Sequence, residues 1–405
     1  MSSIKLKFRP SDVWGHQGVL VYQVVCCRAV YRIRSEYRIG CDEWNATDGQ
    51  ICFSAAQGNR GKELFAVSLN VQWDMYRLQH ILSELEQMNP RMKISDVLVR
   101  FKPEVVQEDS VFAYFKEQIV YKRQSGRIRS SETYQSTLNS FAGFRCGVDL
   151  SFSMIDSRLM QLYEAYLHHC SLSRNTTSFY MRILRTVYRQ AVEQGITADC
   201  HPFQHVYCGM DKTVKRSISF GDIKKIKELD LSDRPMHDWA RDMFIFSFCT
   251  RGMSFVDMAF LKKQDLKDGY IYYRRRKTGQ QLVVEWTEQM QAILNKYKSN
   301  PTDYLLPIIT RSDGTERRQY LNCSLIINRK LKEIANFIGI PVSLSLYYSR
   351  HSWASIARNK GIPLCVISEG LGHSSEQTTQ IYLDSISLHE VDKANRQILN
   401  EFENE

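Results

Sequence analysis

The stretch YYSRHSWASIARNKGIPLCVISEGLGHSSEQTTQIYL, residues 347–383, sets cationic, imidazole and phenolic side chains at fixed intervals. Arg350, His351 and Ser352 fall in one helical pattern, a Leu371-Gly372-His373 turn follows, and Tyr382 stands nine residues after that histidine. Ser374 with Gln377 three residues later is a helix-start signature, which places His373 at a helix entrance and Tyr382 about two turns into the helix. Further upstream, residues 270–277 (YIYYRRRK) and 281–286 (QLVVEW) read as two strands joined through Thr278-Gly279. Between Lys262 and Lys277 there are seven Lys or Arg against two acids, the strongest basic patch in the chain. Residues 249–263 (CTRGMSFVDMAFLKK) add Arg251. Arg251, Arg275, Lys277, Tyr347, Arg350, His373 and Tyr382 thus make a basic and hydroxyl set suited to phosphoryl transfer, in which cations face the non-bridging oxygens and a proton reaches the departing one.

Outward from this stretch, the 405 residues suffice for two or three domains, with 43% hydrophobic and 24% charged residues as in ordinary globular chains. No run approaches the length of a membrane span, and the start lacks an export signal, so the cytoplasm, in association with the nucleoid, is the expected location. A net charge of +10 favours a polyanionic partner. There is no GxxxxGK[ST] loop, no GxGxxG opening a helix and no HExxH, so neither a nucleotide nor a metal or other cofactor is expected. The 11 cysteines form no CxxC pair and are expected reduced. Cys200, His201, His205 and Cys208 could be set around zinc, but Pro202 and the irregular spacing favour a polar linker.

The chain reads as three segments. In the first, residues 1–104, the run VLVYQVVCCRAVYRIRSEYRI is strand-like, and Arg28, Arg32 and Arg34 share one parity, giving a small sheet with a basic face. A helical pattern follows at 69–88. The second, 105–208, carries helical patterns at 111–124, 132–142, 156–169 and 175–194. In the last, Tyr180, Leu184, Val187 and Ala191 form an apolar stripe, while Arg182, Arg185 and Arg189 fall on another face, where they either meet a nucleic-acid backbone or are simply solvated. The third, 215–405, mixes helices with the hairpin. The fold expected is mainly α with small β-sheets.

The arrangement of Arg350-His351-Ser352, Leu371-Gly372-His373 and Tyr382, together with the Lys277-Thr278-Gly279 turn and the Arg251 region, resembles the tyrosine recombinase (phage integrase) family, in the style of integrases from Bacteroides-like mobile elements. The resemblance covers the third segment and extends to the second. It implies a three-domain architecture: an α+β arm-type DNA-binding domain, an all-α core-binding domain and a mixed α/β catalytic domain. It implies double-stranded DNA as substrate, cleaved and rejoined through a 3′-phosphotyrosine on Tyr382, with Arg350 clamping the phosphate and Lys277 protonating the 5′-oxygen. It also implies self-association to a synaptic tetramer through an amphipathic tail containing Leu388, Val391, Ile398 and Phe402, and a possible DNA-bending accessory protein.

Two positions depart from the family pattern. Tyr347 stands where histidine is usual, and Ser254 where the first arginine is usual. Arg251, one helical turn earlier, is favoured for that role, with Arg275 as the rival because it shares a strand face with Lys277. Integration or excision of a mobile element leads over a DNA invertase of the same family. A nicking-closing topoisomerase would use similar residues. A catalytically weakened DNA-binding regulator is a further alternative, and a metal-dependent nuclease would need clustered carboxylates instead.

Overall fold

The computed structural model describes residues 3–26, 29–53, 58–88, 93–211, 216–373, 375–382, 395–396 and 399. By internal contacts the chain divides into two compact units, Met1–Lys212 and Thr213–Glu405.

In the first unit, β1 (Ser3–Arg9), β2 (Gly18–Cys26) and β3 (Ala29–Ile39) form an antiparallel meander. Its period-two alternation buries Leu20, Tyr22, Val24, Ile33, Tyr37 and Ile39 on one face. A short hairpin, β4 (Trp44–Asn45) with β5 (Gln50–Ile51), leads to the long helix α1 (Asn59–Met88), and α2 (Ile94–Phe101) closes the block just before Pro103. The helical pattern read from residue 69 therefore extends ten residues further back. α1 is apolar on two sides. Leu64, Val67, Val71, Leu78 and Leu82 pack under the sheet, whereas Leu69 and Trp73 belong to the core of the following helices.

Those helices are α3 (Val111–Gln124), α4 (Ile128–Phe144), α5 (Ser157–His169) and α6 (Arg174–Glu193). Three begin on side-chain caps: Ser110 accepts from the Ala113 N–H, Asp156 from Leu159 and Ser173 from Thr176, each satisfying an orphan donor of the first turn. The seam between the two cores is polar. The buried Asp74 carboxylate accepts the Tyr22 hydroxyl at 2.7 Å. Asn70 donates to the carbonyls of Ala66 and Phe144, and the buried Arg145 donates to Asn70 while lying 4.8 Å from the Trp73 ring centroid.

The second unit comprises α7 (Phe220–Glu228), α8 (Pro235–Cys249), α9 (Phe255–Ala259), the sheet β6 (Leu266–Lys267), β7 (Tyr270–Arg274) and β8 (Gln281–Glu285), then α10 (Glu288–Asn295), α11 (Glu316–Phe337), α12 (Leu346–Asn359), α13 (Leu364–Leu371) and α14 (Glu376–Tyr382). The sheet runs in the order β6-β7-β8. α8 is the axis of the core: Met243, Phe244, Ile245 and Phe246 are all buried, so α8 is covered on every side by α7, α10, α11 and α12. The fold is thus mainly helical with small sheets. No described helix is long and apolar enough to cross a membrane. The tail positions Leu388, Val391, Ile398 and Phe402 lie outside the described residues.

Candidate active site

Arg350 is held from three sides. Its helix α12 is fastened to α8 by buried hydroxyls, Ser349 Oγ lying 2.6 Å from Ser247 Oγ, which in turn donates to the Met253 carbonyl at 2.9 Å. The guanidinium is buried, with Nη1 donating to the Gly252 carbonyl at 2.8 Å and Nη2 to the Leu371 carbonyl at 2.5 Å. Nη2 also lies 3.0 Å from His373 Nε2.

The Leu371-Gly372-His373 turn is the C-terminus of α13. Gly372 adopts φ +63°, with the His373 N–H on the Ser368 carbonyl and the Gly372 N–H on that of Glu369, a Schellman closure that only a residue without Cβ adopts cheaply. The last carbonyls of α13 carry the negative end of its dipole, and two guanidiniums meet them: Arg350 at Leu371 and Arg275 at Gly372, 2.5 Å away. His373 is half-buried. Burial, then the charges of Arg350, Arg275, Lys277 and His351, pull its pKa down to about 4, so the ring is neutral at pH 7. Its Nδ1 lies 2.8 Å from Thr379 Oγ1 on α14.

The β7–β8 connection is longer than the sequence reading expects. The strands end at Arg274 and restart at Gln281, so Arg275, Arg276 and Lys277 all sit in the turn, closed by the Arg275 N–H on the Gln280 carbonyl. Arg275 and Lys277 consequently do not share a strand face: Arg275 is buried and Lys277 is exposed at the tip. The turn is anchored by buried Asp257, which accepts the Arg276 N–H at 2.9 Å and the Ser254 hydroxyl at 2.6 Å. The Arg276 guanidinium covers the Phe260 ring.

Arg251 and Ser254 are also not on one helix. α8 ends at Cys249, Arg251 takes a left-handed φ of +59°, and Ser254 is the N-cap of α9, occupied with Asp257. The Arg251 side chain passes close to Gly370, its Cδ 3.7 Å from where a Cβ on that glycine would stand. Arg275, by contrast, lines a cleft of about 750 Å³ together with Lys277, Tyr347 and Arg350. Tyr347 is 45% exposed there, its ring edge-on to His351 at 4.5 Å. α14 begins at Glu376, with Ser375 accepting the Thr378 N–H, and Tyr382 is its last residue; Ser374, the start expected from sequence, lies outside the described residues. The set thus gathers Arg275 and Lys277 from the β7–β8 turn, Tyr347 and Arg350 from α12 and His373 from the end of α13, three separate elements. Asp257, Gly252 and Thr379 complete it.

Residues 110–206 match the model of the phage integrase SAM-like domain, and residues 226–389 match that of the phage integrase family, together well over half of the chain. The chain belongs to the tyrosine recombinase family. Among relatives, tyrosine recombinase XerD of Pseudomonas aeruginosa is 24% identical over 260 residues, covering 62% of this chain and 85% of the relative. Tyrosine recombinase XerA of Pyrococcus furiosus is 26% identical over 181 residues, covering 44% and 60%. Among solved structures, a lambda integrase dimer bound to a COC′ core site superposes with a TM-score of 0.52 at 14% identity, covering 94% of this chain and 99% of that one. The Tn1549 transposon integrase in complex with circular intermediate DNA gives 0.54 at 13%, covering 70% and 98%.

The first unit of this tyrosine recombinase carries the remaining candidates. Arg32 and Arg34 project from the solvent face of β3, and Arg28 lies outside the described residues. The same face gathers Lys7, Arg9 and Arg38, lining a recess of about 890 Å³. The alternation in SIKLKFR is the signal that could have found the β1 pair. On α6, Leu184, Val187 and Ala191 are buried as the stripe requires. Arg182 and Arg185 are half-buried and Arg189 is exposed, with Arg185 and Arg189 lining a small recess closed by Asp199 and His201. Among the described residues no three metal-ligating side chains converge, and Cys200 Sγ contacts the Ile155 carbonyl and the Tyr188 hydroxyl.

Proposed function

We propose that this recombinase cuts and rejoins duplex DNA at specific sites through Tyr382, in the integration or excision of a mobile element. The observation that carries the reading is the convergence of Arg350, His373 and Arg275 on the end of α13, with Lys277 on a turn lining the same cleft as Arg275 and Arg350. The two guanidiniums rest on main-chain carbonyls. A phosphodiester, carrying a full negative charge, competes for those donors, and a bidentate guanidinium fork then matches two of its oxygens.

Attack by the Tyr382 oxygen, which gives its phenolic proton to water, forms the new P–O bond and breaks the bond to the 5′-oxygen. Lys277, exposed on its turn, supplies the proton to that leaving oxygen, and the phosphotyrosine conserves the bond for religation. No oxidant, reductant or nucleotide is consumed. Arg275 is the better candidate for the first arginine, because it lines the cleft with Lys277, Tyr347 and Arg350, whereas Arg251 is not among the residues lining it. Tyr347 occupies the position beside the phosphate as a hydrogen-bonding group and not as a base. The basic sheet face of segment 1–104 would serve as the arm-type surface, segment 105–208 as the core-binding domain and 215–405 as the catalytic domain, with the tail assembling a synaptic tetramer.

The test uses nicked duplexes from the DNA flanking the gene, in EDTA, scored for an SDS-resistant adduct. Wild type is expected to form it and Tyr382→Phe to form none. Arg275→Ala is expected to lower the yield by about a hundredfold or more, as loss of a transition-state donor does. Arg251→Ala is expected to lower it less. Adduct from Tyr382→Phe would overturn the assignment.

A further inference from the structure

Thr379 is buried completely, although it lies on the short helix that ends at Tyr382. Its hydroxyl oxygen stands 2.8 Å from His373 Nδ1. The direction of that bond follows from the other side of the ring. Arg350 Nη2 lies 3.0 Å from His373 Nε2, and a guanidinium only donates, so Nε2 must be the acceptor. A neutral imidazole has one N–H, which must then sit on Nδ1 and point at Thr379 Oγ1.

We infer that Thr379 is a positioning residue: its hydroxyl oxygen selects the His373 tautomer that turns Nε2 toward Arg350 and the cleft. The inference rests on the strand-transfer reading for its purpose, but its first test does not. Because Thr379 lies three residues before Tyr382, the histidine is set only when the helix bearing the nucleophile is docked on its own domain. A ring already bonded at Nδ1 changes only at Nε2 when a phosphate takes over Arg350, so any proton gained appears at the atom facing the substrate. A swung-out α14 would leave the ring without its acceptor, and the cleft without an oriented histidine.

The test is a two-bond ¹⁵N–¹H correlation on the full chain with ¹⁵N-labelled histidine at neutral pH, the His373 signals being assigned by their loss in His373→Gln. Wild type is expected to carry the proton on Nδ1 with Nε2 bare. Thr379→Val, nearly isosteric but without the oxygen, is expected to lose that single tautomer, and Thr379→Ser to keep it. On nicked duplex, Thr379→Val should slow adduct formation by about tenfold or more, within the range that a positioned acid–base group contributes, with DNA binding unchanged and Thr379→Ser close to wild type. Protonation at Nε2 in wild type, or an unchanged tautomer in a folded Thr379→Val chain, would overturn the inference. The expected tautomer pattern in a wild-type chain that forms no adduct would count against strand transfer and leave the histidine lock standing.

Discussion

Gly252 carries φ +75°, and a methyl group there would stand 2.5 Å from the Arg350 Cα. Its carbonyl is also one of the supports of the Arg350 guanidinium. Gly252→Ala is therefore expected to destabilise the fold by about 1–3 kcal/mol, through strain and overpacking, and to displace the arginine. A drop in thermal midpoint together with loss of DNA adduct would show this, and a variant with wild-type values would contradict it. His373 gives a pH prediction. Its pKa is near 4 in the folded chain and near 6.5 when unfolded. As pH falls through that window the unfolded state binds its proton first, so stability falls from about pH 6.5 to about pH 4. Urea midpoints measured across the window should decline less steeply in His373→Gln. That Arg350 and His373 meet, and that Lys277 lines one cleft with Arg350, was legible because their spacing is unusual. Thr379 was not, since a helical threonine ordinarily bonds its own backbone or solvent.

At the scale of elements, the helices of the second segment were read to within a few residues, because Ser110, Asp156 and Ser173 are strong caps ahead of periodic apolar runs. The turn between β7 and β8 was misplaced, because Arg275 is buried on a carbonyl acceptor that lies almost a hundred residues away and no local pattern reports it. The same holds for Asp257, whose carboxylate joins the α9 cap to the hairpin turn. Asp257→Ala leaves the Arg276 N–H and the Ser254 hydroxyl without that acceptor, which costs about 1–3 kcal/mol. It is also expected to free the Lys277 turn and slow adduct formation by about tenfold, with DNA affinity little changed, since positioning is lost and charge is not. A variant that bound DNA poorly yet cleaved normally would sink this assignment.

For the molecule as a whole, the composition indicated a basic chain and the apolar periodicity a mainly helical fold, but neither showed how tightly its first two segments are joined. Trp73, on α1, is completely buried in the core of the following helices, and its indole N–H donates to Asp156, the cap of α5. Trp73→Ala should cost about 3–5 kcal/mol, read as a lower unfolding midpoint of both the sheet and the helical bundle. Loss confined to the sheet would argue that the two fold apart. Strand transfer as proposed here turns on one bond, between phosphorus and the Tyr382 oxygen. The most direct measurement is to trap the adduct on a nicked duplex in EDTA, digest protein and DNA, and locate the nucleotide by mass spectrometry. A single nucleotidyl peptide containing Tyr382 is the expected result. Attachment to any other residue, or cleavage that leaves no covalent peptide, would contradict it.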